Sequence, residues 1–238
     1  MSHAKDQAEL MRTLGYEYSD PGLLTCALTH SSYANESTAK GIACPSNERL
    51  EYLGDAVLQL YISDYLYEAY PECAEKQMTD MRKYLVCETT LARIAGRIGL
   101  GAYLRLGHGE EQKGGREKPS ILADAFEALL ASLYLDCGRL SGKAAHEVLF
   151  RLMEDELASA PRARVDYKTR FQQLVQKDGS EQLSYVTVSE SGPDHDKVFE
   201  VEALVNSNVV GRGKGRTKRE AEQDAARQAL ELFGFGDT

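Results

Sequence analysis

The 238-residue sequence has no uninterrupted apolar run near the roughly 18–20 residues that cross a bilayer. Residues 1–20 mix Lys5, Asp6, Glu9 and Arg12 and lack the apolar core of a secretory signal. A soluble, cytoplasmic protein with no membrane partner is expected. Cysteine is sparse: Cys26, Cys44, Cys73, Cys87 and Cys137 are scattered, odd in number and without a CxxC pair. That excludes a disulfide framework or a thiolate zinc site as the organising chemistry. The five histidines lie equally far apart, which disfavours an imidazole metal site. Glu and Asp remain as candidate ligands, and they suit hard cations.

A hydrophobic share of 42% is ordinary for a globular chain. At about 100–200 residues per domain, the length allows one large domain or two smaller ones. The net charge of −9 argues against a nucleic-acid partner only if it is evenly spread. Residues 1–161 hold 16 Lys+Arg against 24 Asp+Glu, whereas residues 162–238 hold 12 against 13. Within the second part, Arg212-Gly-Lys-Gly-Arg-Thr-Lys-Arg219 places five cations in eight residues without an acid. Local clustering of this kind decides whether phosphate is attracted.

The first two thirds read as helical. Leucines 10, 14, 23, 24 and 28 open a helix-and-loop region, and the polar stretch from Ser31 to Ser46 reads as a loop. Asn47 to Tyr70 is a long amphipathic helix stopped by Pro71, which cannot continue the hydrogen-bond ladder. Helices are expected over Met78–Leu100, Ile121–Leu135 and Glu147–Leu157, with a glycine-punctuated loop between the first two. Residues 158–165, rich in small residues and holding Pro161, read as an interdomain linker. The tail then changes character. Tyr167, Phe171, Leu174 and Val175 make a helical stripe, followed by alternating strand patterns at Leu183–Val188, Phe199–Val205 and Val209-Val210. Gly192-Pro193-Asp194 and Asn206-Ser207-Asn208 read as turns, and Thr217 with Glu220 as a capping box for a helix to about Phe233. The fold class is an all-helical domain over 1–157 followed by a small α-β-β-β-α domain over 166–236, with both helices on one face of a sheet.

Two groups of carboxylates stand out. On the Asn47–Tyr70 helix, Glu48, Glu51 and Asp55 point within an arc of about 60°, while Leu50, Leu53, Val57, Leu60 and Tyr61 lie opposite. Taken alone, this is a solvated acidic face. The Ile121–Leu135 helix is apolar almost all round, and its only charges, Asp124 and Glu127, are neighbours at i and i+3. Buried anions need a cation, supplied by Arg, Lys or a metal. A salt-bridged structural pair is one reading; an oxygen-only Mg²⁺ site shared between two helices is the other.

Asn47-Glu-Arg-Leu-Glu-Tyr-Leu-Gly-Asp-Ala-Val-Leu58 closely resembles the signature of the ribonuclease III family. Thr29-His-Ser-Ser32, Gly107-His-Gly-Glu110 and Ile121-Leu-Ala-Asp-Ala-Phe-Glu-Ala128 fit the same family in the same order, and the tail resembles its double-stranded-RNA-binding domain. The resemblance implies metal ligands at Glu51, Asp124 and Glu127, a catalytic pair at Asp55 and Glu127, and supporting acids at Glu48 and Glu75. It implies Mg²⁺, two ions during catalysis with Mn²⁺ as a substitute, and hydrolysis of double-stranded RNA to 5′-phosphate and 3′-hydroxyl ends with short 3′ overhangs. Ribosomal RNA precursors, structured messenger RNA and transfer RNA precursors are the implied substrates.

By the same resemblance, Thr169, Gln172, Gln173 and His195 face RNA minor grooves, since the A-form major groove is too deep and narrow to read. Arg216, Lys218 and Arg219 would grip phosphate at a helix start. Tyr52, where many members have Phe, would anchor a homodimer by filling a pocket on the partner. A binding module without catalysis is the competing class; the intact acids argue against it. A truncated ribosomal-RNA processing member is disfavoured by the presence of the second domain.

Overall fold

The computed structural model describes residues 6–163, 167–176, 181–192 and 197–235. The chain divides into two compact units, Met1–Arg164 and Val165–Thr238. Unit 1 is built from α1 (Gln7–Leu14), α2 (Pro21–Ala27), α3 (Ser31–Ala39), α4 (Glu48–Ala69), α5 (Glu75–Val86), α6 (Glu88–Arg97), α7 (His108–Gln112), α8 (Pro119–Asp136), α9 (Ala144–Leu152) and α10 (Glu154–Ala163).

Helix α8 is the axis of this unit. Pro119 at its first turn is pre-set for helical φ. Ile121, Leu122, Ala123, Ala125, Phe126 and Leu129 are buried within about two and a half turns of it, as an all-round apolar sequence requires. Helix α4 packs on α8 through Leu50, Gly54, Val57, Leu58, Tyr61 and Ile62. Leu60, expected on the apolar face, is instead 52% exposed, because the crossing turns the Gly54–Leu58 side of α4 inward. At the crossing, a Cβ on Gly54 would overlap the backbone carbonyl of Glu127. Only glycine permits that approach.

Four expectations need correction. The polar stretch 31–46 is helical over Ser31–Ala39, because the His30 ring Nδ1 accepts from the Ser32 N–H and caps the helix. The helix expected over 78–100 breaks at Cys87, which is extended (φ −74°, ψ 154°). There the Thr90 hydroxyl donates to the Tyr84 carbonyl at 2.8 Å, and the bend lets Met81, Leu85, Leu91 and Ile94 all reach the core. The helix expected over 147–157 starts at Ala144 and is interrupted at the buried Met153. Finally, α10 runs on to Ala163, so most of the segment read as a linker from 158 is helical. Leu157 and Ala160 are both buried, which extends the helical stripe beyond the small-residue signal.

One buried ion pair ties the last helix to the body. Glu156 is 2% exposed and accepts from Arg97 at 2.7 and 2.9 Å and from Arg93 at 3.2 Å. Burial works against its charge, but the Arg97 hydrogen bonds hold it below the usual carboxylate range.

Unit 2 comprises α11 (Tyr167–Gln176), β1 (Leu183–Ser191), β2 (Val198–Val205), β3 (Asn208–Gly215) and α12 (Lys218–Leu232). The strands form an antiparallel sheet in the order β1-β2-β3. Phe171 and Val175 of α11 are buried as the stripe demanded. The β2–β3 turn holds Asn206 and Ser207 at positive φ, the geometry a two-residue hairpin needs. Of the Gly192–Asp194 turn, positions 193 and 194 lie outside the described residues.

The glycines of β3 decide how α12 lies. A Cβ on Gly211 or Gly213 would overlap α12 backbone at Ala225, and one on Gly215 would come 2.5 Å from the Ala221 nitrogen. Strand period two therefore sends the glycines against the helix and Arg212 and Lys214 to the outer face. We expect Gly213→Ala to destabilise unit 2 by about 3 kcal/mol or more, through overpacking against backbone that cannot yield. Hydrogen exchange checks it: protection should fall in α11, the sheet and α12 and persist in α4 and α8. Unchanged protection in α12 would contradict the close packing.

Candidate functional site

The acid-bearing turn of α4 is fixed at its start. Asn47, 3% exposed, donates its backbone N–H to the Thr29 carbonyl at 2.8 Å, and Thr29 is itself 1% exposed. Ser46 donates its hydroxyl to Glu48 at 3.0 Å. Glu48 and Glu51 occupy the first turn of α4, where unpaired N–H groups favour negative charge. The Gly54 contact then sets Glu51, about one turn before it, and Asp55, the next residue, beside Asp124 and Glu127 of α8.

Five of the expected acids, Glu48, Glu51, Asp55, Asp124 and Glu127, thus share one electrostatic neighbourhood. Burial pushes Glu127 up to about 8, with Asp55, Asp124 and Glu51 adding repulsion in that order. Glu51 is raised by burial, then by Asp124, Glu48 and Asp55. Asp124 is raised by burial and Glu88, while His30 and Lys118 oppose the shift. No side-chain hydrogen bond or ion pair reaches Glu51, Asp124 or Glu127 among the described residues, so the structural salt-bridge reading finds no support. Nor, among those residues, do any three His, Cys, Asp or Glu side chains converge as a ready-made cage. What the site offers is partly desolvated, mutually repelling oxygen donors that no ion pair neutralises among the described residues. In type and charge that set fits a hard divalent cation.

Glu75 is not part of this cluster within the single chain. It begins α5, accepts from the Thr79 hydroxyl at 2.9 Å, and lines a cavity of about 230 Å³ with Ser63, Leu66, Tyr67, Met78, Thr79 and Arg82. Tyr52 stands 82% exposed on α4, off the packed face as its wheel position required. Sequence reasoning missed Gly54 as the pivot, and missed Glu88, His30 and Lys118 as neighbours of Asp124. The glycine between Glu51 and Asp55 was the available signal for the pivot, and the Thr29–Ser32 motif for His30; Lys118 stands just ahead of the Asp124 helix, and Glu88 is distant in sequence and gave no signal.

In unit 2, Thr169, Gln172 and Gln173 line the exposed side of α11, while His195 lies outside the described residues. The cationic run does not act as one patch. Arg212 pairs with Glu202 at 2.9 Å and Lys214 with Glu200 at 2.5 Å across the sheet. Arg216, Lys218 and Arg219 are exposed around the start of α12, with Lys218 3.0 Å from Glu190. Thr217 caps that helix by accepting from the Glu220 N–H at 3.1 Å. The Glu220 carboxylate reaches back to the Arg216 N–H rather than to that of Thr217.

The raised Glu127 has a measurable consequence for the metal-free protein. Its folded-state pKa, about 8, exceeds the ordinary 4.5, so the fold favours the neutral carboxyl. The resulting stability is fully present below pH 4.5 and lost as pH rises to about 8. In chelator, the melting temperature of Glu127→Gln relative to the parent should therefore be higher at pH 8.5 than at pH 5. A difference independent of pH would contradict the proposed burial.

Comparison with known proteins agrees with both units. A Ribonuclease-III-like family model matches residues 20–155, and a double-stranded RNA binding motif matches residues 167–232. The chain is 49% identical to Ribonuclease 3 of Pelotomaculum thermopropionicum, covering 99% of this chain and 97% of that one. It is 45% identical to Ribonuclease 3 of Listeria monocytogenes, covering 93% and 95%. Among solved structures, the nuclease domain of ribonuclease III from Campylobacter jejuni, described as flexible in a region involved in dimer formation, superposes with a TM-score of 0.58 at 37% identity. It covers 64% of this chain and 99% of its own. With a helical unit that juxtaposes the signature acids and a second unit of α-β-β-β-α form, this chain belongs to the ribonuclease III family.

Proposed function

We propose that the protein is a Mg²⁺-dependent cytoplasmic endoribonuclease that cuts double-stranded RNA, leaving 5′-phosphate and 3′-hydroxyl ends with short 3′ overhangs. The observation that carries this reading is the meeting of Glu51 and Asp55 with Asp124 and Glu127 at a glycine-locked helix crossing, with no ion pair to any of the four among the described residues. Precursors of ribosomal and transfer RNA and structured messenger RNA are its proposed substrates.

Glu51, Asp124 and Glu127 would hold the metal, with Mn²⁺ as a substitute and a second ion arriving with RNA. When bound, Mg²⁺ supplies positive charge to the scissile phosphate and acidifies water. Asp55, the more exposed of the catalytic pair, orients the water that attacks phosphorus in line with the departing ribose 3′-oxygen. Glu48 steadies the rim of the site. In unit 2, Thr169, Gln172, Gln173 and His195 would meet minor-groove edges, and Arg216, Lys218 and Arg219 would meet phosphates. The surface pair between Lys218 and Glu190 is worth little in water and yields readily to a phosphate. Glu127→Gln should lower the cleavage rate at least 100-fold, about 2.7 kcal/mol of barrier, with duplex affinity nearly intact. A labelled-duplex cleavage assay in Mg²⁺ beside a gel shift reads both; near-parental cleavage would remove Glu127 from the mechanism.

The working unit is a symmetric homodimer. One cluster of acids cuts one strand, and a two-fold axis supplies the second. Tyr52 is the exposed anchor, and the cavity beside Glu75 is its seat on a second copy. Ser63, Thr79 and Arg82 in that cavity offer the phenol hydroxyl the partners that burial demands. Because Tyr52 follows Glu51 directly, seating it there would bring Glu75 of one copy beside the acids of the other. That explains why Glu75 lies apart from them in the single chain. Tyr52→Asp should sediment as a monomer at micromolar concentration and lose paired-strand cleavage. A dimeric Tyr52→Asp would show that the anchor lies elsewhere.

A further inference from the structure

Asp55 is the acid that the proposed reaction asks to orient water, and one side chain of its own helix reaches it. The Gln59 amide donates from Nε2 to Asp55 Oδ1 at 3.4 Å, four residues along α4. Residues at i and i+4 share a helix face, so the contact needs no help from another element. Gln59 is half-buried and Asp55 exposed, which makes the donor the more restricted of the two. Among the described residues, this is the one side-chain hydrogen bond or ion pair that Asp55 makes. Toward the other acids its charge is repulsive, and it raises both Glu127 and Glu51.

The same side of α4 continues in steps of four. Ser63 donates its hydroxyl to the Gln59 carbonyl at 2.6 Å and accepts from Arg82 Nη1 at 2.9 Å. Ser63 and Arg82 both line the cavity beside Glu75. Gln59 thus stands between the acid cluster and that cavity, its carbonyl engaged on one side and its amide on the other. The residue type suits the place. A cation four residues after Asp55 would neutralise charge that a metal needs, and a carboxylate there would add repulsion. An amide donates without carrying charge. An unsupported aspartate, by contrast, turns over a broad range about its last torsion. Holding one oxygen settles the plane of the carboxylate and leaves the other oxygen free to accept from water.

We propose that Gln59 is a positioning residue for strand cleavage, its amide holding Asp55 in the orientation from which the free carboxylate oxygen accepts a hydrogen bond from the attacking water. The inference rests on the role proposed above for Asp55 and deepens it. Gln59 itself touches neither metal nor phosphate and transfers no proton. It acts on the rate at which bound duplex is cut, because a small misplacement of a group that orients a nucleophile is costly to the reaction. A pair at i and i+4 contributes little to folding. Loss of this contact therefore separates rate from stability.

The test compares full-length parent, Gln59→Met, Gln59→Glu, Asp55→Ala and the combination of Gln59→Met with Asp55→Ala. Each is mixed in excess with a labelled duplex in Mg²⁺, and a single round of cleavage is followed. Methionine keeps the length of glutamine and removes the donor. It should slow cleavage of saturating duplex about tenfold, with the half-saturating concentration within about twofold and the melting temperature within about 2 °C of the parent. Gln59→Glu, which turns an acceptor toward Asp55, should be slower still. On the Asp55→Ala background, Gln59→Met should change the residual rate by less than about twofold, since no carboxylate is left to orient. Near-parental cleavage by Gln59→Met, an equal loss on both backgrounds, or a loss seen only as weaker duplex binding or a lower melting temperature would overturn the proposal. Parental cleavage by Asp55→Ala would overturn the role of Asp55 and this inference with it. A disabled Asp55→Ala beside a near-parental Gln59→Met would leave that role standing and remove only Gln59.

Discussion

The approach of α4 to α8 at Gly54 is the constraint on which the nuclease unit depends. With no side chain between them, one helix rests on the backbone of the other at Glu127, and acids one turn along each helix become neighbours. Two groups that would be harmless on separate solvated faces are thereby forced into mutual repulsion and partial desolvation. Burial first, and the acids of the facing helix after it, raise Glu127 and Glu51. A protein without a use for concentrated negative charge would be expected to neutralise it, as this one does at Glu156 with Arg93 and Arg97. The contrast between the two acidic sites in one fold is what distinguishes a structural carboxylate from one held ready for a ligand.

Unit 2 uses small residues in the same way for another end. Glycines at 211, 213 and 215 let β3 lie flat against Ala221, Ala225 and Ala229 of α12. Their alternation with Arg212 and Lys214 separates packing from charge at a period of two. The cations on the sheet find Glu200 and Glu202, whereas Lys218 at the helix start pairs with Glu190 on β1 and Arg216 and Arg219 are exposed there. Packing geometry, rather than the tally of cations in the run, decides which of them pair across the sheet.

Much of this was legible in the chain because periodicity follows from backbone geometry alone. The amphipathic course of α4, the apolar α8, the stripe of α11 and the capping of α12 by Thr217 each followed from side-chain spacing. The acids could be grouped on their own helices by the same spacing, and the signature segment pointed to the family through its residues. Polarity misled at Ser31–Ala39, where a local cap from His30 outweighed composition. Small residues misled after Leu157, where burial of Ala160 carried the helix on.

By itself, then, the sequence determined most of the helices and strands, which acids share a helix face, and where a cationic run falls. Only the tertiary structure decided that Glu51 and Asp55 meet Asp124 and Glu127, that Glu75 stands apart beside an open cavity, and that Arg212 and Lys214 are taken up by glutamates. Local spacing fixes direction around one element's axis. Which elements touch, and how closely, depends on side-chain volume at contacts far apart in the chain, and one missing Cβ at Gly54 sets the distance for the nuclease site.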